Sequence, residues 1–230
     1  MKKRDFTTEE IAKTLDHSAL KAQMTDTDII NACAIGRKYQ VASVCVRPTD
    51  TALAKKELSA SKVKVAVVVG FPHGTHRSEV KALETKLAMD DGAQEVDMVM
   101  NIGALLSGKY DFVREDISAV VREAAPRGGI VKVILETCYL DQEQIVTACR
   151  LCEDAGADYV KSSTGFGSRG ATVETLRIML DTVGDRLGIK ASGGIRSYEK
   201  VVKFLSLGCK RLGVTATEAI MAEAREKAKR

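Results

Sequence analysis

Short apolar runs alternate with longer amphipathic segments along nearly the whole chain. The clearest runs cover residues 41–46, 63–69, 96–100 and 130–135, and weaker ones cover 14–20, 158–161, 188–191 and 211–214. Each has strand length. Their near-continuous Val, Ile, Leu and Met content suits parallel strands covered on both faces. The segments between them have helical period. Asp26–Tyr39 places Ile29, Ile30, Cys33 and Ala34 on one side. Ser78–Asp90 opens with Ser78 as a cap and sets Val80, Leu83, Leu87 and Ala88 on one stripe, the expected core face. Residues 48–58 open with a proline suited to a first helical turn. Segments 111–125, 141–155, 172–183, 197–207 and 217–229 also read as helices, and Gly92, Gly156 and Gly208 read as helix stops.

Eight strand-then-helix units of roughly 29 residues predict an α/β fold, a (β/α)8 TIM barrel with eight parallel strands ringed by helices. No Gly-x-Gly-x-x-Gly follows the first strand, which argues against a dinucleotide-binding open sheet. Three prolines and no Ser/Gly/Pro tract leave no linker, so 1–230 reads as one domain.

Composition narrows the partners. A hydrophobic fraction of 45% excludes a disordered chain. A net charge of +4, with basic and acidic residues interleaved, predicts no nucleic-acid partner, and 4% aromatics without Trp give no base-stacking platform. No apolar run reaches 18 residues, so no membrane span is expected. The basic start, residues 1–7, has no apolar stretch after it and is not a secretory signal. The six cysteines lie in apolar or helical text, which predicts free thiols and a cytoplasmic protein. Cys149 and Cys152 are one helical turn apart, without a second pair to complete a zinc site.

The informative residues are charges inside strands, because an unpaired buried charge is costly. Asp97, Lys161 and Lys190 stand near the carboxyl ends of strands four, six and seven, the end where barrels carry their active sites. Two lysines and a carboxylate in one pocket suggest amine chemistry. Burial and a neighbouring cation favour the neutral amine, which attacks a carbonyl to give an imine. A structural ion pair is the competing explanation for any one of the three. Lys64 reads as solvated. Lys132 and Glu136 are left between pairing with each other, facing the helices and joining the pocket.

Three Gly-rich turns follow strands six, seven and eight: Thr164-Gly165-Phe166-Gly167, Ser192-Gly193-Gly194 and the turn at Gly213. Barrels bind phosphate in the last two of these loops, so a phosphorylated ligand is expected. Asp16 and Ser18 give strand one a polar end suited to substrate hydroxyls, with His17 either a satisfied core group or a pocket group. Cys45 reads as a small wall residue of the same mouth. His73 and His76 have no third metal ligand nearby, and no metal is expected.

From residue 11 to about residue 219 the chain resembles the deoxyribose-phosphate aldolase family, class I aldolases of deoxynucleoside breakdown. The resemblance rests on TLDHSALK from Thr14, CVRP from Cys45, VGFP from Val69, EVDMVMNIG from Glu95, residues 131–138, AGADYVKSSTGFG from Ala155 and KASGGIR from Lys190. It implies a (β/α)8 barrel without metal or organic cofactor. It implies the reversible cleavage of 2-deoxy-D-ribose 5-phosphate to D-glyceraldehyde 3-phosphate and acetaldehyde. By the same resemblance Lys161 is the Schiff-base nucleophile, and Asp97 with Lys190 is the proton-relay pair. Asp16 and Ser18 bind hydroxyls or a water. Gly165, Gly193, Gly194 and Gly213 hold the phosphate, with Thr164 and Thr215 beside them. Where the family often shows Gly-Thr-Ser-Ser, this chain reads Gly213-Val214-Thr215-Ala216, and Ala216 has no hydroxyl to donate. The alternatives are another phosphosugar Schiff-base aldolase and a non-catalytic phosphosugar-binding barrel. The expected partners are small phosphosugars and aldehydes. A homo-oligomer through exposed apolar helix faces is open to such a barrel.

Overall fold

The computed structural model describes residues 6–228. Residues 1–5, with most of the basic start, and Lys229 at the end of the last expected helix lie outside them.

Eight strands close into a barrel with every neighbouring pair parallel and in chain order. They are β1 (Leu15–Ala19), β2 (Ser43–Val46), β3 (Lys64–Val69), β4 (Glu95–Val99), β5 (Ile130–Ile134), β6 (Tyr159–Lys161), β7 (Gly188–Ser192) and β8 (Arg211–Val214). All eight fall on the expected runs. The helices are α1 (Thr8–Ala12), α2 (Asp26–Tyr39), α3 (Thr51–Leu58), α4 (Ser78–Asp90), α5 (Ile102–Leu106), α6 (Tyr110–Ala124), α7 (Gln142–Asp154), α8 (Val173–Val183), α9 (Tyr198–Leu207) and α10 (Thr217–Lys227). The five-residue helices α1 and α5 are additions to the expected set, too short to show a period. Local chemistry sets several starts. At α7, Asp141 accepts from the Gln144 amide at 2.9 Å and Gln144 accepts from the Asp141 amide at 3.0 Å, a reciprocal cap.

The main hydrophobic core lies between sheet and helices, not inside the barrel. It takes one face of the strands: Leu15 and Ala19 of β1, Val65, Val67 and Val69 of β3, Val96 and Met98 of β4, Val131 and Val133 of β5. The alternate residues point to the interior, because strand side chains switch face at each step. There the sequence supplies charge: Asp16, Glu95, Asp97, Lys132, Lys161, Lys190 and Arg211 are all buried. A small apolar group, Cys45, Ala66 and Val68, fills the β2–β3 side. Lys64 is exposed at its strand start, as expected.

Two helix faces differ from expectation. In α2 the buried residues are Ile29, Ala32, Cys33 and Gly36, and Ile30 and Ala34 are exposed. In α4 the reversal is larger. Val80, Leu83 and Leu87 are exposed, and the buried side carries Lys81, Thr85, Ala88 and Met89. A buried ion pair turns the helix: Lys81 Nζ lies 2.5 Å from Asp116 of α6 and donates to the Val99 carbonyl at 2.9 Å. Ser78 does not cap its own helix; Arg77 is the cap residue, and the Ser78 hydroxyl donates to Asp116 at 2.9 Å.

Candidate active site

Strand register builds the site. Lys161 and Lys190 are partners across β6 and β7, and Asp97 is the partner of Lys132 across β4 and β5. The parallel strands point these side chains to one interior, where they meet. Asp97 is the hub. One carboxylate oxygen lies 2.6 Å from both Lys161 Nζ and Lys190 Nζ, and the other accepts from Lys132 at 2.8 Å. Below, Lys132 also meets Glu95 at 2.7 Å, and Arg211 joins Glu95 at 2.6 Å to Asp16 at 2.5 Å. Asp16 accepts from the Ser43 hydroxyl at 2.7 Å and is ion-paired with Lys190. Among the described residues this interior sets three carboxylates against four cations.

The charges act unequally. Burial alone would raise the Asp97 carboxyl, but Lys132, Lys161 and Lys190 hold it well below the usual range. Asp16 is likewise raised by burial and, on balance, lowered by Lys190 and Arg211. Lys132, Lys190 and Arg211 would lose their protons more readily on burial, yet their carboxylate partners raise all three. Lys161 goes the other way. Burial lowers it most, Asp97 opposes that, and Lys190 lowers it further.

A cavity of about 590 Å³ opens at the carboxyl ends of the strands. Its wall includes Ser18, Lys161, Thr164, Gly165, Gly193, Gly194, Gly213 and Thr215. Lys161 is the one interior charge that borders it. Gly193 and Gly194 both have positive φ, +88° and +70°, which turns consecutive backbone amides in a way other residues resist. At Gly193 a Cβ would also meet the Gly170 backbone at 2.7 Å. Phe166 stands edge-on to Phe71 at the rim, ring centroids 5.3 Å apart.

Other expected residues lie elsewhere. Asp16, Asp97 and Lys190 are beneath the cavity floor, fully covered. Cys45 is sealed against Ala66 and Val68, a correction to its place on the mouth, and burial pushes its thiol up to about 11. His17 is buried with Nδ1 2.8 Å from the Thr217 hydroxyl, and burial lowers it to about 4, so it is a satisfied neutral group at the cavity edge. His73 and His76 are exposed, and no cluster of metal-ligating side chains occurs among the described residues. Cys149 and Cys152 are buried in α7.

Four further residues complete the site, and two of them, Lys132 and Glu136, carried an open placement in the sequence reading. Lys132 joins the interior, one of the three places open to it. Glu95 and Arg211 carry no role in the sequence reading. Their signal was spacing: Glu95 stands two before Asp97 and Arg211 two before Gly213, so each shares its neighbour's face. Glu136 lies two residues past β5 in a left-handed conformation, φ +53°. Its carboxylate takes the Thr164 hydroxyl and also the Thr164 amide at 3.3 Å, and Thr164 in turn accepts from the Phe166 amide at 2.9 Å. Glu136 thereby holds the loop that follows Lys161.

A parallel eightfold barrel that gathers three lysines around one aspartate, and opens one of them to a cavity, has the architecture of a lysine-dependent aldolase. A family model described as DeoC/LacD family aldolase matches residues 10–213. The chain is 49% identical over 216 residues to a deoxyribose-phosphate aldolase of Clostridium tetani, covering 94% of this chain and 100% of that one. It is 49% identical over 218 residues to a deoxyribose-phosphate aldolase of Thermococcus gammatolerans, covering 94% and 97%. A solved tetrameric deoxyribose phosphate aldolase from Aeropyrum pernix superposes with a TM-score of 0.90 at 28% identity, covering 96% of this chain and 93% of that one. The chain belongs to the DeoC/LacD family of aldolases, and so to the lyases.

Proposed function

We propose that this chain reversibly cleaves 2-deoxy-D-ribose 5-phosphate to D-glyceraldehyde 3-phosphate and acetaldehyde, with Lys161 forming the imine. One observation carries the assignment of Lys161. Of the four interior cations it alone has its pKa lowered, and it alone borders the cavity. Loss of its proton leaves three cations against three carboxylates, the balance a low-dielectric interior favours. The named relatives support the substrate.

The neutral amine of Lys161 adds to C1 of the open-chain sugar, and loss of water gives the protonated imine. Removal of the C3 hydroxyl proton lets the C2–C3 bond break. Its electron pair moves into the imine, leaving an enamine on Lys161, and C3 departs as the aldehyde of glyceraldehyde 3-phosphate. Protonation at C2 and addition of water at C1 release acetaldehyde and restore the amine. Asp97 and Lys190, 2.6 Å apart, are the pair that accepts and returns these protons. Asp16 anchors Lys190 from below, and Ser18 offers its hydroxyl to the substrate or a water. Gly165, Gly193, Gly194 and Gly213, with Thr164 and Thr215, line the cavity, which supports their amides and hydroxyls as the donors to the phosphate. The scheme uses no metal and no organic cofactor.

The protein acts in the cytoplasm on this reading, which its six free cysteines support. No helix among the described residues is long and apolar enough to cross a membrane. Copies of the chain associate with one another, as the tetrameric relative does.

Borohydride trapping tests the assignment. The protein is incubated with 2-deoxyribose 5-phosphate, reduced, digested and weighed by peptide. The expected adduct sits on Lys161. An adduct on Lys190 keeps the reaction and inverts the two lysines. A folded protein that binds the sugar and traps nothing overturns the proposal.

A further inference from the structure

Arg211 opens β8 at the end of the barrel opposite the cavity, and it takes no part in the scheme above. Its guanidinium reaches two carboxylates. Nε and Nη2 lie 2.9 and 2.5 Å from Asp16 Oδ1, and Nη2 also lies 2.6 Å from Glu95 Oε2. These carboxylates are the second partners of two lysines. Glu95 Oε2 is shared with Lys132 at 2.7 Å, and Asp16 Oδ2 is ion-paired with Lys190. Lys161 is ion-paired with Asp97 alone among the described residues.

An arginine keeps its proton where a lysine can lose one. Burial works against the charge of Arg211, but Asp16 and Glu95 outweigh it. The interior charges therefore form a ladder. Arg211 draws on Asp16 and Glu95, so Lys190 and Lys132 lean on Asp97 at 2.6 and 2.8 Å, and less of Asp97 is left for Lys161. Without Arg211 the same network would set three carboxylates against three lysines, and no lysine would need to be neutral.

Other groups face Lys161 without answering to Arg211. Burial keeps the Cys45 thiol of β2 neutral, pushed up to about 11. His17 of β1 is neutral and bonded to Thr217. Glu136, beyond β5, is committed to the Thr164 amide and hydroxyl. From β3 the interior receives only Ala66 and Val68.

We propose that Arg211 is a positioning residue for the imine-forming lysine: it engages Asp16 and Glu95 from the closed end of the barrel, and so keeps Asp97 with Lys132 and Lys190 and away from Lys161. The inference rests on Lys161 forming the imine, as proposed above, and names what frees its amine.

The test follows the rate of borohydride-trapped adduct on Lys161 with 2-deoxyribose 5-phosphate across a pH series. The acid limb of that rate tracks loss of the Lys161 proton. Arg211→Met is expected to move the limb to higher pH by about one unit, roughly a tenfold lower rate at a pH on the limb. Arg211→Lys keeps the charge and is expected to leave the limb near its wild-type place. Glu95→Gln removes the carboxylate that Arg211 shares with Lys132, and is expected to move the limb the other way, to lower pH. The opposite signs separate charge from support, because loosening one ion pair from either side would act alike. If Arg211→Met does not fold, Glu95→Gln decides, and a shift to lower pH sustains the proposal. An unmoved limb in either folded variant, or shifts of one sign in both, overturns the role of Arg211 and leaves the reaction standing. A folded wild type that traps nothing on Lys161 overturns the reaction first and this inference with it.

Discussion

Lys161 and Lys190 lie side by side in register on β6 and β7, and both reach the same oxygen of Asp97 at 2.6 Å. The two amines therefore compete for one counterion. Asp16 holds Lys190 from its other side, and Lys161 has no second carboxylate. That asymmetry is why Lys190 holds its proton more tightly than an ordinary lysine and Lys161 less tightly.

Lys190→Leu removes the competitor. Asp97 then serves Lys161, whose pKa rises, and each unit of rise cuts the neutral fraction near neutrality tenfold. Cleavage is expected to fall about a hundredfold or more. The imine-trapping rate, plotted against pH, is expected to move its acid limb to higher pH. An unmoved limb with a reduced rate would assign Lys190 to proton transfer alone.

Asp97→Asn leaves Lys132, Lys161 and Lys190 without their shared counterion. Breaking a buried ion network by removing one member costs on the order of 3–5 kcal/mol. Urea unfolding is expected to show a loss of that size together with loss of cleavage. A variant of wild-type stability would mean that the interior charges re-pair without the hub.

Acid acts through His17. Its pKa falls from 6.5 in the unfolded chain to about 4 in the fold, driven first by burial. A lowered folded value contributes stability above the unfolded pKa and loses it as pH falls through the folded one. Stability is therefore expected to decline from pH 6.5 to about 4, on the order of 3 kcal/mol for this group. His17→Gln is expected to flatten that slope, read from unfolding midpoints across the pH series. An equally steep slope in the variant would assign the decline to other groups.

Gly193→Ala tests the phosphate loop. Its Cβ would meet the Gly170 backbone at 2.7 Å in a left-handed conformation. KM for 2-deoxyribose 5-phosphate is expected to rise at least about tenfold, the cost of one or two lost charge-assisted hydrogen bonds. kcat/KM for unphosphorylated 2-deoxyribose is expected to change little. Equal losses on both substrates would mean that the loop supports the lysines, not the phosphate.

Glu136→Gln keeps an acceptor oxygen for Thr164 and removes the charge, and Glu136→Ala removes both. The alanine variant is expected to raise KM at least about tenfold by freeing the Thr164–Phe166 loop, with the glutamine variant recovering most of the loss. Equal effects from the two would tie Glu136 to the reaction through its charge.

The strands, their order and the barrel were legible in the chain because four strands are near-continuous apolar runs, the weaker four recur at the same spacing, and the returns between them have helical period. Asp97, Lys161 and Lys190 stood out because charge inside such runs is rare. The same runs concealed Glu95 and Arg211. Read as unbroken apolar text, a strand shows no face, and only register across closed strands brings Arg211 of β8 to Glu95 of β4.

By itself the sequence determined the period of each element, the glycine turns and the count of charges, since these are properties of neighbours along the chain. Which oxygen serves which lysine, and which face of α4 turns outward, were decided only by the tertiary structure. Lys81 finds Asp116 from another helix, and a buried ammonium's need for a carboxylate outweighs an apolar stripe's preference for the core.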